Sequence, residues 1–184
     1  MKSTEPFNRV APILIFSYGN PSRGDDALGP AMFELLKKNR DGRRDKSSEA
    51  GRIEPDRVDL LTDYQLQIEH AIDLEQRECV LFVDASVSAS APYEFHQLQA
   101  ERDSSYTTHA MSPVAVLDVY QQINQHQPPS SYMLSIRGYQ FGLGQALSEQ
   151  AKINLQQGYE FIKTLLATDA RQWPERLPDR QPGE

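Results

Sequence analysis

The chain has 184 residues, the length of a single domain that can bury a useful core, with 39% hydrophobic residues, a formal net charge of −7 and one cysteine. The acidic balance, with no basic run except Arg43-Arg44, argues against a nucleic-acid partner, and the lone Cys79 excludes an intrachain disulfide or a CxxC metal or redox site. No segment approaches the roughly 18 apolar residues of a membrane span. The first apolar run, Ala11 to Tyr18, contains Pro12 and ends in a turn, unlike a signal peptide, so a cytoplasmic protein without a membrane partner is expected.

Ile13-Leu14-Ile15-Phe16 and Cys79-Val80-Leu81-Phe82-Val83 are short, apolar and rich in β-formers, as buried parallel strands are. The first ends in Tyr18-Gly19-Asn20 and the second in Asp84. Arg57 to Leu61 and Tyr132 to Ile136 add two more candidate strands, and the partial alternation of Tyr93 to Leu98 suits a sheet edge. Helices fall between them. Leu28, Met32, Leu35 and Leu36 make an apolar face on a helix starting near Asp26–Gly29, with Pro30 in its first turn. A second helix is expected over Gln65 to Glu75. Ser112-Pro113 opens a third, with Val116, Tyr120 and Ile123 on one stripe. Ser148 caps the last, whose buried face is Ala151, Leu155, Tyr159, Ile162 and Leu166.

The resulting order, β-α-β-α-β-β-α-β-α, predicts a single α/β domain over residues 1–184. Its architecture is a doubly wound, mainly parallel five-stranded sheet with helices on both faces. Two polar stretches, about 39–56 and about 170–184, read as an exposed insert and a loose tail.

Open parallel sheets bind ligands outside the carboxyl ends of their strands. Three segments qualify here: Gly19 to Gly29 with Asp25 and Asp26, Asp84 to Ser90, and Thr107 to Pro113 with His109. Two carboxylates and an imidazole converging from separate loops would form an oxygen/nitrogen metal site with open positions. Each residue also has a plain structural role open to it. Asp25 or Asp26 can cap the helix, Asp84 can end a strand in a turn, and His109 can be a solvated loop residue. The loop Gly19–Asp26 lacks the Lys and Ser/Thr of a P-loop and places carboxylates where a phosphate would sit. Cys79, inside an apolar strand, reads as an inert small hydrophobe. His70, His96 and His126 read as surface or cap residues, and no Gly-x-Ser-x-Gly turn supports a serine triad.

Four segments, in order, resemble those of the hydrogenase maturation proteases, endopeptidases that trim the C-terminal extension from the large subunit of nickel–iron hydrogenases. They are Ile15-Phe16-Ser17-Tyr18-Gly19-Asn20-Pro21-Ser22-Arg23-Gly24-Asp25-Asp26-Ala27-Leu28-Gly29, Phe82-Val83-Asp84-Ala85, Thr107-Thr108-His109-Ala110-Met111-Ser112-Pro113, and Phe141-Gly142-Leu143-Gly144-Gln145-Ala146-Leu147-Ser148. The resemblance runs from residue 13 to about 167. It implies that Asp26, Asp84 and His109 are the family's metal-binding and catalytic set. It also implies that the partner is a nickel-loaded large-subunit precursor, with nickel presented by that precursor rather than held by the resting enzyme. Asp26 stands where some members carry the longer Glu, and Ala27 where glycine is common. Asp25 is the spare carboxylate that could accept a proton. The competing functions are a divalent-ion-dependent small-molecule hydrolase on the same residues and a noncatalytic assembly chaperone.

Overall fold

The computed structural model describes residues 10–42, 52–100 and 111–177. Five strands, β1 (Ile13–Tyr18), β2 (Val58–Asp63), β3 (Cys79–Ser86), β4 (Tyr93–Leu98) and β5 (Ser130–Arg137), form one sheet in the order β2-β1-β3-β5-β4. All neighbours pair in parallel except β4, which runs antiparallel to β5 at the edge. The helices are α1 (Leu28–Asp41), α2 (Pro113–Asn124) and α3 (Glu149–Leu166), with a 3-10 segment at Ile68–Leu74 crossing from β2 to β3.

The alternation of side chains along each strand divides the core into two layers. Ile13 and Ile15 of β1, Leu81 and Val83 of β3, and Leu134 and Ile136 of β5 pack against Leu28, Met32 and Leu36 of α1 and Ala151, Leu155 and Ile162 of α3. Leu14, Phe16 and Tyr18, together with Val80 and Phe82, face the other way. They meet Leu66, Ala71 and Leu74 of the crossover and Val116, Leu117 and Tyr120 of α2. Helices therefore cover both faces, as a doubly wound sheet requires.

Three expectations need correction. Ile123 of α2 is exposed rather than on the buried stripe, because the stripe ends at Tyr120 one turn before the helix stops at Asn124. The polar insert is not exposed throughout. Helix α1 continues to Asp41, and Ile53 is buried in the α1–α3 layer with its N–H donated to Asn39 Oδ1 at 2.9 Å. Nor is the tail loose from residue 170. Ala170–Arg176 forms a 3-10 segment whose Trp173 is completely buried, stacked edge-on to Tyr132, with its indole N–H on the Leu165 carbonyl at 3.0 Å. One aromatic residue in a polar, proline-containing stretch is easily outvoted in a compositional reading, yet it supplies enough apolar area to dock the segment.

Candidate active site at the carboxyl edge

From β1 the chain leads leftward to β2, and from β2 it crosses rightward to β3, so the winding reverses between β1 and β3. A crevice opens at such a switch point, at the carboxyl ends of the strands. Asp26 lies just beyond β1, and Asp84 is near the end of β3. The parallel register pairs Ser17 with Val83, so Tyr18 and Asp84 come next, side by side. By strand alternation both share the face that α2 covers.

The loop that carries Asp26 is fixed by backbone chemistry. Gly19 has φ +141°, and a Cβ there would collide with the Asp26 carbonyl, so only glycine lets the chain fold back this tightly. Asp26 accepts from the Asn20 N–H at 3.3 Å through one carboxylate oxygen, and no described residue donates to the other. Asp84 Oδ1 accepts from the Ala85 N–H at 2.6 Å, and the Tyr18 hydroxyl donates to the same carboxyl group. Burial pushes the Asp84 carboxyl up to about 7. The Asp26 charge adds to the rise, and the hydrogen bonds from Ala85 and Tyr18 offset only part of it. The Tyr18 hydroxyl is itself raised well above its ordinary value, first by burial and then by the Asp84 charge. Neither Asp26 nor Asp84 has a basic partner among the described residues.

Asp25 belongs elsewhere. It is completely buried, and its carboxylate accepts four hydrogen bonds, from Tyr139 N–H at 2.7 Å, Gln140 N–H at 3.1 Å, Ser148 N–H at 2.7 Å and Ser148 Oγ at 2.8 Å. Burial alone would raise this carboxyl, but those bonds outweigh it and hold the group below its ordinary range. Asp25 thus does not cap α1, which has no side-chain cap, and its burial and four donors, which favour the ionised form, make it a poor acceptor for a proton from substrate water. It staples the β1 loop to the β5–α3 loop.

His109 lies outside the described residues. Helix α2 delivers the chain to the start of β5 and so begins at the carboxyl edge, on the same face as Asp84 and Tyr18. Its cap, Ser112, accepts from Ala115 N–H at 3.2 Å. Among the described residues no group of three His, Cys, Asp or Glu side chains could hold a metal; the edge presents the Asp26–Asp84 pair. Hard carboxylate oxygens without a counter-charge suit a divalent cation.

Tyr18 is the contributor that the sequence alone did not single out. Its role depends on β1 and β3 pairing in register, which a strand-by-strand reading cannot supply. Cys79 is buried in the sheet, and burial raises its thiol to about 12, consistent with an inert residue. His70 acts as a cap: its Nδ1 accepts from Gln67 N–H at 2.9 Å and its Nε2 faces Asp63 Oδ2 at 3.3 Å.

A doubly wound sheet of this kind has known counterparts. The chain has the fold of the hydrogenase maturation proteases. It is similar to the [NiFe] hydrogenase maturation protease HycI from Thermococcus kodakarensis KOD1, with a TM-score of 0.62 and 20% identity over 88% of this chain and 95% of that one. It is also similar to the hydrogenase maturating endopeptidase HybD from E. coli, with a TM-score of 0.61 and 22% identity over 84% and 91%. A hydrogenase 2 maturation peptidase from Thaumarchaeota archaeon SCGC_AB-539-E09 matches with a TM-score of 0.57 and 20% identity over 85% and 99%. No protein-family model matches the sequence, and no curated protein does.

Proposed function

We propose that this chain is a cytoplasmic endopeptidase that removes the C-terminal extension of a nickel–iron hydrogenase large-subunit precursor after nickel insertion. The observation that carries this reading is the meeting of Asp26 and Asp84 at the β1/β3 switch point, two carboxylates without a basic partner among the described residues. The precursor presents its nickel to this edge, and Asp26, Asp84 and His109 recognise it as part of the substrate. The fold of solved maturation proteases, shared over most of the chain, supports the same reading.

Peptide hydrolysis needs a water held against the scissile carbonyl and a group that takes its proton. When bound, nickel would supply Lewis-acid polarisation. Asp84, ionised once the cation is in place, offers a carboxylate that can accept the water proton and later return it to the leaving amine. Asp26 lies close enough for its charge to be felt at Asp84 and provides the second oxygen set. Tyr18 orients Asp84 by its hydroxyl.

Incubating the purified chain with a nickel-loaded precursor and weighing the products tests the proposal. Loss of one C-terminal peptide, dependent on nickel in the precursor, is the expected outcome. Binding without a mass change would indicate a chaperone, and neither binding nor cleavage would leave a small-molecule hydrolase to be sought.

A further inference from the structure

Eight large hydrophobic residues are exposed among the described ones, and their distribution is uneven. Tyr64, Ile68 and Ile72 lie on the segment that leaves β2, Val87 on the segment that leaves β3, and Tyr139 and Leu143 on the loop that leaves β5. All three segments start from the carboxyl edge that carries Asp26 and Asp84. Of the remaining two, Ile153 is a single position on α3, and Ile123 lies in the last turn of α2, which leads to the start of β5 and so to the opposite edge.

Leu143 is the most exposed of the set, at 81%. It is flanked by Gly142 and Gly144, and Gly144 has φ +76° with nothing near its Cβ position. The turn is nevertheless pinned. Gly144 N–H donates to the Ser22 carbonyl at 2.7 Å, Gly142 N–H to Gln145 Oε1 at 2.9 Å, and Gly24 N–H to the Gln145 carbonyl at 3.1 Å. Arg23 Nε donates to the Phe141 carbonyl at 3.1 Å. Leu143 is thus held out into solvent by a turn tied to the very loop that carries Asp26. An apolar side chain ordered in advance of contact loses little freedom on binding, which is how interface anchors gain affinity.

We infer that the apolar residues around this edge, with Leu143 on the loop after β5 as anchor and Ile68 and Ile72 on the segment after β2, are the docking surface for the folded precursor. The partner's matching feature is an apolar surface surrounding a bound divalent cation. Charge complementarity selects that occupant: the surface is apolar at its rim and carries the acidic pair Asp26 and Asp84, which has no basic partner among the described residues, so a cation set in an apolar surround fits both parts. This inference rests on the endopeptidase reading above and assigns its partner-binding surface.

The test measures cleavage kinetics and, separately, equilibrium binding of a nickel-loaded hydrogenase large-subunit precursor. Wild type is compared with Leu143→Ser, the pair Ile68→Ser/Ile72→Ser, and Ile123→Ser as a control from the opposite edge of the sheet. The expected result is a KM and Kd raised at least about fivefold in the first two variants, with kcat within about twofold of wild type and Ile123→Ser unchanged. Wild-type KM and Kd in both surface variants, or an equal loss in Ile123→Ser, would overturn the docking surface while leaving the endopeptidase intact. Binding that falls in the surface variants although wild type never cuts would retain the surface and remove the endopeptidase reading. Absence of wild-type binding would remove both.

Discussion

Asp25 and Ser148, 123 residues apart in the chain, are joined twice: Ser148 donates its N–H to one oxygen of the carboxylate at 2.7 Å and its hydroxyl to the other at 2.8 Å. The same Ser148 hydroxyl accepts from Ala151 N–H at 3.2 Å as the cap of α3. The staple thus connects the turn after β1 to the start of the last helix, and it fixes the turn in which the neighbouring Asp26 is free to act. Adjacent carboxylates have opposite duties because one is aimed into the fold and the other at the edge.

Removing that staple is expected to be expensive. Asp25→Asn puts an amide NH2 against donors and removes charge-assisted bonds, and Asp25→Ala leaves buried donors unpaired; each should destabilise by about 2–5 kcal/mol. Denaturant unfolding measures this. The pH dependence has a definite sign. A folded-state carboxyl held below its unfolded value contributes stability present above the unfolded value and lost as pH falls through the folded one, so the wild-type advantage over Asp25→Asn should shrink below about pH 4.

Asp84 has the opposite sign. Its folded value of about 7 lies above its unfolded one, so the folded state binds the extra proton between about pH 4 and 7, and its contribution to stability falls as pH rises through that window. Asp84→Asn, which cannot ionise, should melt higher than wild type above pH 7 by about 2–4 °C, the change that about 1 kcal/mol makes in a domain of this size. Melting curves across pH 4–8 for the two proteins check it.

Divalent-ion affinity should follow the same titration. Binding requires the carboxylate form, so cadmium or zinc, used as surrogates for nickel, should bind more tightly as pH rises toward 7 and release a proton on binding. Calorimetry in buffers of different ionisation enthalpy measures that proton. About one ion per chain is expected, weakened at least about tenfold in His109→Ala; unchanged affinity in that variant would remove His109 from the set.

Much of this fold was legible in the sequence because it rests on local pattern. The apolar runs at 13–16 and 79–83, the Ser112-Pro113 and Ser148 caps, and the apolar stripe of α3 each report a local preference that tertiary packing did not override. The edge location of Asp26 and Asp84 followed from strand order alone. What local pattern could not report was pairing across the chain. Which of Asp25 and Asp26 turns inward depends on Tyr139, Gln140 and Ser148, more than a hundred residues away, and Tyr18 acquires its role only through register with β3.

Trp173 offers a separate check on the same lesson. Its ring is buried against Tyr132 and Leu165, so Trp173→Ala should cost about 3–5 kcal/mol. Unfolding followed by fluorescence in wild type and by circular dichroism in both measures it, and a change below about 1 kcal/mol would mean the segment contributes little to the core.

The most direct test of the account is precursor processing by Asp26→Asn, measured beside its melting temperature. The substitution keeps the size of the side chain and removes the charge that a cation requires, while the fold-bearing carboxylate next to it is untouched. The expected result is a folded protein with a wild-type melting temperature, within about 2 °C, that leaves a nickel-loaded precursor uncut while wild type removes its C-terminal peptide. Normal processing by Asp26→Asn would contradict the assignment of the edge pair, and with it the mechanism built on Asp26 and Asp84.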